Sequence, residues 1–107
     1  MGTVKIDTTP LKLVTIIAEA LLEDRLVQEI GRLGATGYTV TRASGRGTRG
    51  VRASEWEGNN VRIETLVVDA VADQILTHLA NQYFEHYAVV AYMQTVEVVR
   101  ADKYRAR

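Results

Sequence analysis

VRIETLVVDAVADQILTHLANQY, residues 61–83, joins a strand to a helix with almost no connection. Residues 61–68 are an aliphatic, β-branched run of strand length. Beyond them the apolar period lengthens, and Ala72, Ile75, Leu76, Leu79 and Tyr83 recur at the spacing of one helix face. Asp69 stands at the junction, where a carboxylate can cap a helix N-terminus.

The same succession occurs once before. Residues 11–18 (LKLVTIIA) form a buried strand, and residues 21–34 switch to helical spacing through Leu22, Leu26, Ile30 and Leu33. Glu23 and Asp24 fall in the first turn, where the helix dipole favours them. Gly34 and Gly37 close this helix and turn the chain into a second strand, residues 38–42 (YTVTR). Residues 87–100 (YAVVAYMQTVEVVR) supply the last strand. The order β-α-β, long connection, β-α-β predicts an α+β, ferredoxin-like βαββαβ fold: an antiparallel four-stranded sheet with two helices on one face. The other face stays uncovered and carries Val90, Tyr92 and Val96 or their alternates. An exposed apolar face of that size predicts self-association through the sheet.

The chain of 107 residues is expected to form a single domain, 1–107, with a frayed basic end over residues 101–107. Its hydrophobic content of 47% and charged content of 24% are those of a soluble globular protein. The lack of cysteine removes disulfides, thiolate metal sites and cysteine nucleophiles from consideration. No signal peptide and no membrane span are expected, which predicts a cytoplasmic protein.

Formal net charge is zero, yet between Ile30 and Ser54 stand Arg32, Arg42, Arg46, Arg49 and Arg52 with no carboxylate among them. SGRGTRGVR, residues 44–52, alternates glycine with guanidinium and hydroxyl donors. That is the chemistry of an anion cradle, with phosphate as the natural guest. It lies in an aperiodic stretch over about residues 44–60, a length at which loops inside compact domains are usually functional.

These segments resemble the PII signalling proteins. GATGYTV (residues 34–40), followed by a glycine-punctuated basic loop, carries the general likeness. GTRGVR (residues 47–52) and YFEHYA (residues 83–88) resemble the PII-like SbtB proteins of carbon-concentrating photosynthetic bacteria. The resemblance spans about residues 11–100. It implies a homotrimer of ferredoxin-like subunits that binds adenine nucleotides (cyclic AMP, AMP, ADP and ATP) as effectors in the clefts between subunits. It further implies that the long loop, the T-loop of that family, engages a membrane bicarbonate transporter, which would bring the protein to the inner face of the membrane. By position, Arg46, Gly47, Thr48, Arg49 and Arg52 would hold phosphate or ribose. Thr36, Gly37, Tyr38 and Thr39 would line the site. Tyr87, Ala88, Val89 and Val90 would give backbone contacts near the adenine from an adjoining segment. Residues 85–90, EHYAVV, stand where PII proteins proper carry a glycine-rich loop with a lysine.

Two other readings share the fold class. A nucleic-acid-binding domain of this type stacks bases on aromatics of its central strands, and the first and third strands contain none. A small phosphate-ester hydrolase of the acylphosphatase kind places its anion cradle after the first strand, where Ala18, Glu19, Ala20 and Leu21 offer neither glycine nor arginine. The expectation is therefore a non-enzymatic protein without catalytic residues or metal ligands, and without nucleic acid as partner. His78 and His86 are read as surface or interface residues. Glu55 and Glu57 are read as balancing the arginines. Trp56, alone in a polar loop, is read as an anchor for a protein partner.

Overall fold

The computed structural model describes residues 6–45 and 59–100. The elements are β1 (Thr9–Glu19), a 3-10 turn (Ala20–Leu22), α1 (Glu23–Leu33), β2 (Thr39–Ala43), β3 (Asn60–Val67), α2 (Asp69–Gln82) and β4 (Val90–Val98). The strands form one sheet in the order β2-β3-β1-β4, with every neighbouring pair antiparallel. This is the expected α+β, ferredoxin-like arrangement, with the first and third strands at its centre.

Alternation along β1 separates the two faces. Val14, Ile16 and Ala18 join Val61, Ile63 and Val67 of β3 in a buried cluster with Leu26 and Ile30 of α1 and Ala72, Ile75 and Leu79 of α2. Each valine, leucine and isoleucine side chain of this cluster contributes about 1.5–3 kcal/mol on full burial. Both helices therefore cover one side. The opposite side shows Leu13 between Leu66 and Gln94, Thr15 between Glu64 and Tyr92, and Ile17 between Arg62 and Val90. Val90, Tyr92 and Val96 thus share the uncovered face, with Val90 and Tyr92 respectively 57% and 41% exposed.

Four local details differ from the sequence reading. The first helix is preceded by a 3-10 turn, anchored where the Ala20 amide donates to the Asn59 carbonyl at 3.0 Å. This bond ties the end of β1 to the entry of β3 before α1 begins. At the other end of α1, Gly34 alone makes the closure, with φ 123°. The Ala35 amide reaches back to the Ile30 carbonyl at 3.0 Å, the 6→1 bond of a glycine-ended helix. A Cβ on Gly34 would lie 2.9 Å from Val71 Cγ2, so the residue also permits close approach of α1 to α2. Gly37 has no positive φ and belongs to the segment entering β2.

Asp69 does not cap α2. The N-cap position is Val68, without a side-chain cap bond, and Asp69 is the first helical residue, where its charge still favours the dipole. The last strand begins at Val90 and not at Tyr87. Residues 83–89 are taken up by turns in which the Tyr83 carbonyl accepts from the amides of His86 (3.0 Å) and Tyr87 (2.8 Å), and the Tyr87 carbonyl accepts from the Val89 amide (3.0 Å). Those amides are spent locally and cannot enter the ladder.

Candidate functional site

The segment after α1 is held to the sheet by one short bond. Thr65 Oγ1, buried on β3, donates to the Gly37 carbonyl at 2.6 Å. With this anchor Thr36, Gly37, Tyr38 and Thr39 form one wall of a cleft of about 490 Å³, closed by Leu13 of β1 and by Glu64, Thr65 and Leu66 of β3. The volume lies in the range of small-molecule sites. Its lining combines two exposed threonine hydroxyls, an aliphatic floor and the Tyr38 ring, which is 54% exposed. One carboxylate, Glu64, is paired with Arg62 at 3.0 Å and can accept hydrogen bonds from a ligand hydroxyl or amine.

Residues 87–90 lie elsewhere. Val90 opens β4, the edge strand opposite β2, and the Val90–Ile17–Arg62–Thr41 register spans the whole sheet between them. Three strand spacings amount to roughly 14 Å. One chain therefore brings Thr36, Gly37, Tyr38 and Thr39 together but does not bring Tyr87, Ala88, Val89 and Val90 to the same cleft. Arg46, Gly47, Thr48, Arg49, Arg52 and Trp56, like Glu55 and Glu57, lie outside the described residues. Among the described residues no group of three or more histidines and carboxylates could hold a metal ion, and no helix is long and apolar enough to cross a membrane.

A second polar cluster escaped the sequence reading. On the helical side, Glu29 Oε1 accepts from the Tyr83 hydroxyl and from His78 Nε2, both at 2.7 Å, and Glu29 Oε2 pairs with Arg25 Nε at 3.2 Å. The other arm of Arg25 donates from its NH1 to the Tyr87 hydroxyl at 3.2 Å, and its guanidinium sits 4.8 Å from the centre of the Tyr83 ring. Burial alone would raise the Glu29 pKa, but the hydrogen bonds from Tyr83, His78 and Arg25 outweigh it and hold the carboxyl below the ordinary range. Burial, reinforced by the Glu29 carboxylate, pushes the Tyr83 phenol well above its usual value. The bond to Tyr87, then that to Glu29, raises Arg25 further. His78 is thus half-buried and bonded, whereas His86 is exposed. The only trace of this cluster in the sequence is the i,i+4 spacing of Arg25 and Glu29; the rest requires α1 and α2 to be packed.

Sheet order, helix placement and cleft together define a class: a small ferredoxin-like α+β domain with a ligand-sized pocket at one edge of its sheet. The chain belongs to the nitrogen regulatory protein P-II family, whose model matches residues 11–103. Within that family it is similar to a PII-like signalling protein of Thermus thermophilus, with 58% identity over 94% of this chain and 100% of that one and a TM-score of 0.81. It is also similar to CPII of Thiomonas intermedia, whose structure holds ADP and bicarbonate, with 26% identity, coverage of 94% and 100%, and a TM-score of 0.83. GlnK of Bacillus subtilis, in complex with ATP, shares the fold at 18% identity, coverage of 81% and 82%, and a TM-score of 0.61. The chain is a PII-like signalling protein.

Proposed function

We propose that this protein is an adenine-nucleotide sensor of the SbtB type. It assembles as a homotrimer, binds cyclic AMP, AMP, ADP or ATP in the clefts between subunits, and regulates a membrane bicarbonate transporter through the loop over about residues 44–60. It works in the cytoplasm and reaches the inner face of the membrane through that partner, with Trp56 as an anchor.

The observation that carries this reading is the cleft at Thr36, Gly37, Tyr38 and Thr39 in a P-II domain whose second predicted segment, residues 87–90, faces the opposite edge of the sheet. A site using both must be completed by another subunit, and the uncovered face with Val90, Tyr92 and Val96 is suited to bring one there. The binding of ADP and bicarbonate by CPII supports both the ligand class and the link to inorganic carbon. Chemically, phosphate oxygens would draw Arg46, Arg49 and Arg52 inward and take up amides of Gly47 and Thr48. Ordering that loop costs conformational entropy, which the charge-assisted bonds offset. The nucleotide biases the loop only by its differential affinity for the two loop states, and the partner reads that bias.

Titration calorimetry with ADP, AMP, ATP and cyclic AMP, joined to light scattering for mass, tests the reading. Arg49→Ala and Arg52→Ala should each remove a bond worth about 1.5–3 kcal/mol, a loss of roughly tenfold to a hundredfold in affinity, with the trimer intact. A monomer indifferent to all four nucleotides overturns the proposal.

A further inference from the structure

The Glu29 cluster does more than join two helices, because one of its ends grips the connection that leads into β4. Four contacts converge on residues 83–89. Arg25 NH1 donates to the Tyr87 hydroxyl at 3.2 Å, the Tyr83 and Tyr87 rings lie 5.5 Å apart, the Tyr83 carbonyl accepts from the Tyr87 amide at 2.8 Å, and the Tyr87 carbonyl accepts from the Val89 amide at 3.0 Å. Tyr83 itself is immobilised by full burial and by its hydroxyl on Glu29. Arg25 touches both ends from a different element, since its Nε holds Glu29 while its NH1 holds Tyr87 and its guanidinium lies over both rings, at 4.8 and 5.7 Å.

A planar guanidinium with donors in a fixed fork can serve two acceptors in different directions at once, which a lysine ammonium cannot reproduce in the same geometry. The Tyr87 hydroxyl is consequently held by a residue 62 positions away in sequence, on a different element, and the carbonyl of that same Tyr87 accepts from the Val89 amide.

We propose that Arg25 and Glu29 are positioning residues for the segment at Tyr87, Ala88, Val89 and Val90: they fix its backbone before ligand arrives and so raise nucleotide affinity without touching the nucleotide. This rests on the reading that residues 87–90 contribute to a nucleotide site of a neighbouring subunit. Preorganisation is its physical basis. A segment already held in its binding geometry loses less freedom on binding than one that must be ordered.

The test uses the full chain with Arg25→Gln, Arg25→Lys and Glu29→Gln, reading ADP affinity by calorimetry and amide exchange by mass spectrometry. Glutamine at position 25 removes the fork, and lysine keeps the charge as a control should the first variant fold poorly. Both should weaken ADP binding by about twofold to thirtyfold, the span seen for residues that act through a network. Exchange should quicken over residues 84–90 while residues 36–39 and the helices stay protected. Glu29→Gln should do the same more weakly, because the Arg25–Tyr87 contact survives. Loosening spread evenly over α1 and α2 would make the cluster merely structural and overturn the proposal. Unchanged ADP affinity in both Arg25 variants would also overturn it. If the parent protein binds no adenine nucleotide, the functional reading fails, and exchange over residues 84–90 still decides whether Arg25 holds the segment.

Discussion

Tyr83→Phe isolates one oxygen atom at the centre of the helical side. The Tyr83 side chain is fully buried, and phenylalanine keeps the ring and its packing among Leu79 and Ile75 while deleting a hydroxyl that donates to Glu29 Oε1 at 2.7 Å. A hydrogen bond to a charged group contributes about 1.5–3 kcal/mol. Two features pull the expected loss to the lower end: Glu29 Oε1 retains the His78 N–H, and the variant has no phenol to desolvate. A loss of about 1–2 kcal/mol follows, and for a domain of this size it lowers the melting temperature by roughly 5–15 °C.

The pH dependence makes the test sharper. The folded-state pKa of Tyr83 is raised above its unfolded value near 10.0, so its contribution is complete below that pH and is lost as pH rises further. The gap between parent and variant should therefore be constant near neutrality and close above about pH 10. At the acid end, Glu29 loses one of the bonds that hold its pKa down, so less of its contribution is forfeited below about pH 4.5 and the variant's acid profile is flatter than the parent's. Melts followed by circular dichroism from about pH 3 to 11, at matched protein concentration because any self-association shifts the midpoint, measure both effects. Equal melting temperatures together with superimposable pH profiles would refute the Tyr83–Glu29 bond and the reasoning built on it.

Gly34→Ala forces a side chain onto φ 123° and sets its Cβ 2.9 Å from Val71 Cγ2. The strain is about 1–3 kcal/mol, visible as a lower urea midpoint with an unchanged m-value. Thr65→Val deletes the donor to the Gly37 carbonyl with little change of volume. It should cost about 1 kcal/mol and quicken amide exchange over residues 36–39 before any other part of the sheet. Glu29→Gln removes a carboxyl with a lowered folded-state pKa. The contribution lost is one present above the unfolded value near 4.5 and forfeited as pH falls through the folded value, so the variant's acid unfolding profile should be flatter than the parent's. Tyr92→Asp places a carboxylate on the uncovered face between Thr15 and the edge of the sheet. Light scattering should then report a monomer, and retention of the parental mass would show that association does not use this face.

The major elements were legible because their signals are local. The strand-length runs at residues 11–18 and 61–68 and the helical stripes after them survive in the structure as β1, β3, α1 and α2. Element ends were less legible, because they depend on partners distant in sequence. The start of α1 depends on Asn59 accepting from Ala20, and the start of β4 depends on which amides the Tyr83 carbonyl has already taken. The wall at Thr36, Gly37, Tyr38 and Thr39 was marked by its motif, but its other wall, Leu13 with Glu64 and Leu66, was not. Those residues meet only through the pairing of β1 with β3.

By itself the sequence determined the order of elements, the ferredoxin-like class, the concentration of arginine between the two halves and the identity of the apolar strips. All of these follow from the period of side chains along a chain, which is a one-dimensional property. Only the tertiary structure decided that residues 36–39 and 87–90 stand at opposite edges of one sheet, and that Arg25, Glu29, His78, Tyr83 and Tyr87 form a single network. Strand order and helix packing fix those distances. Hydrogen bonds, which act over about 3 Å, can be assigned only once the distances are known.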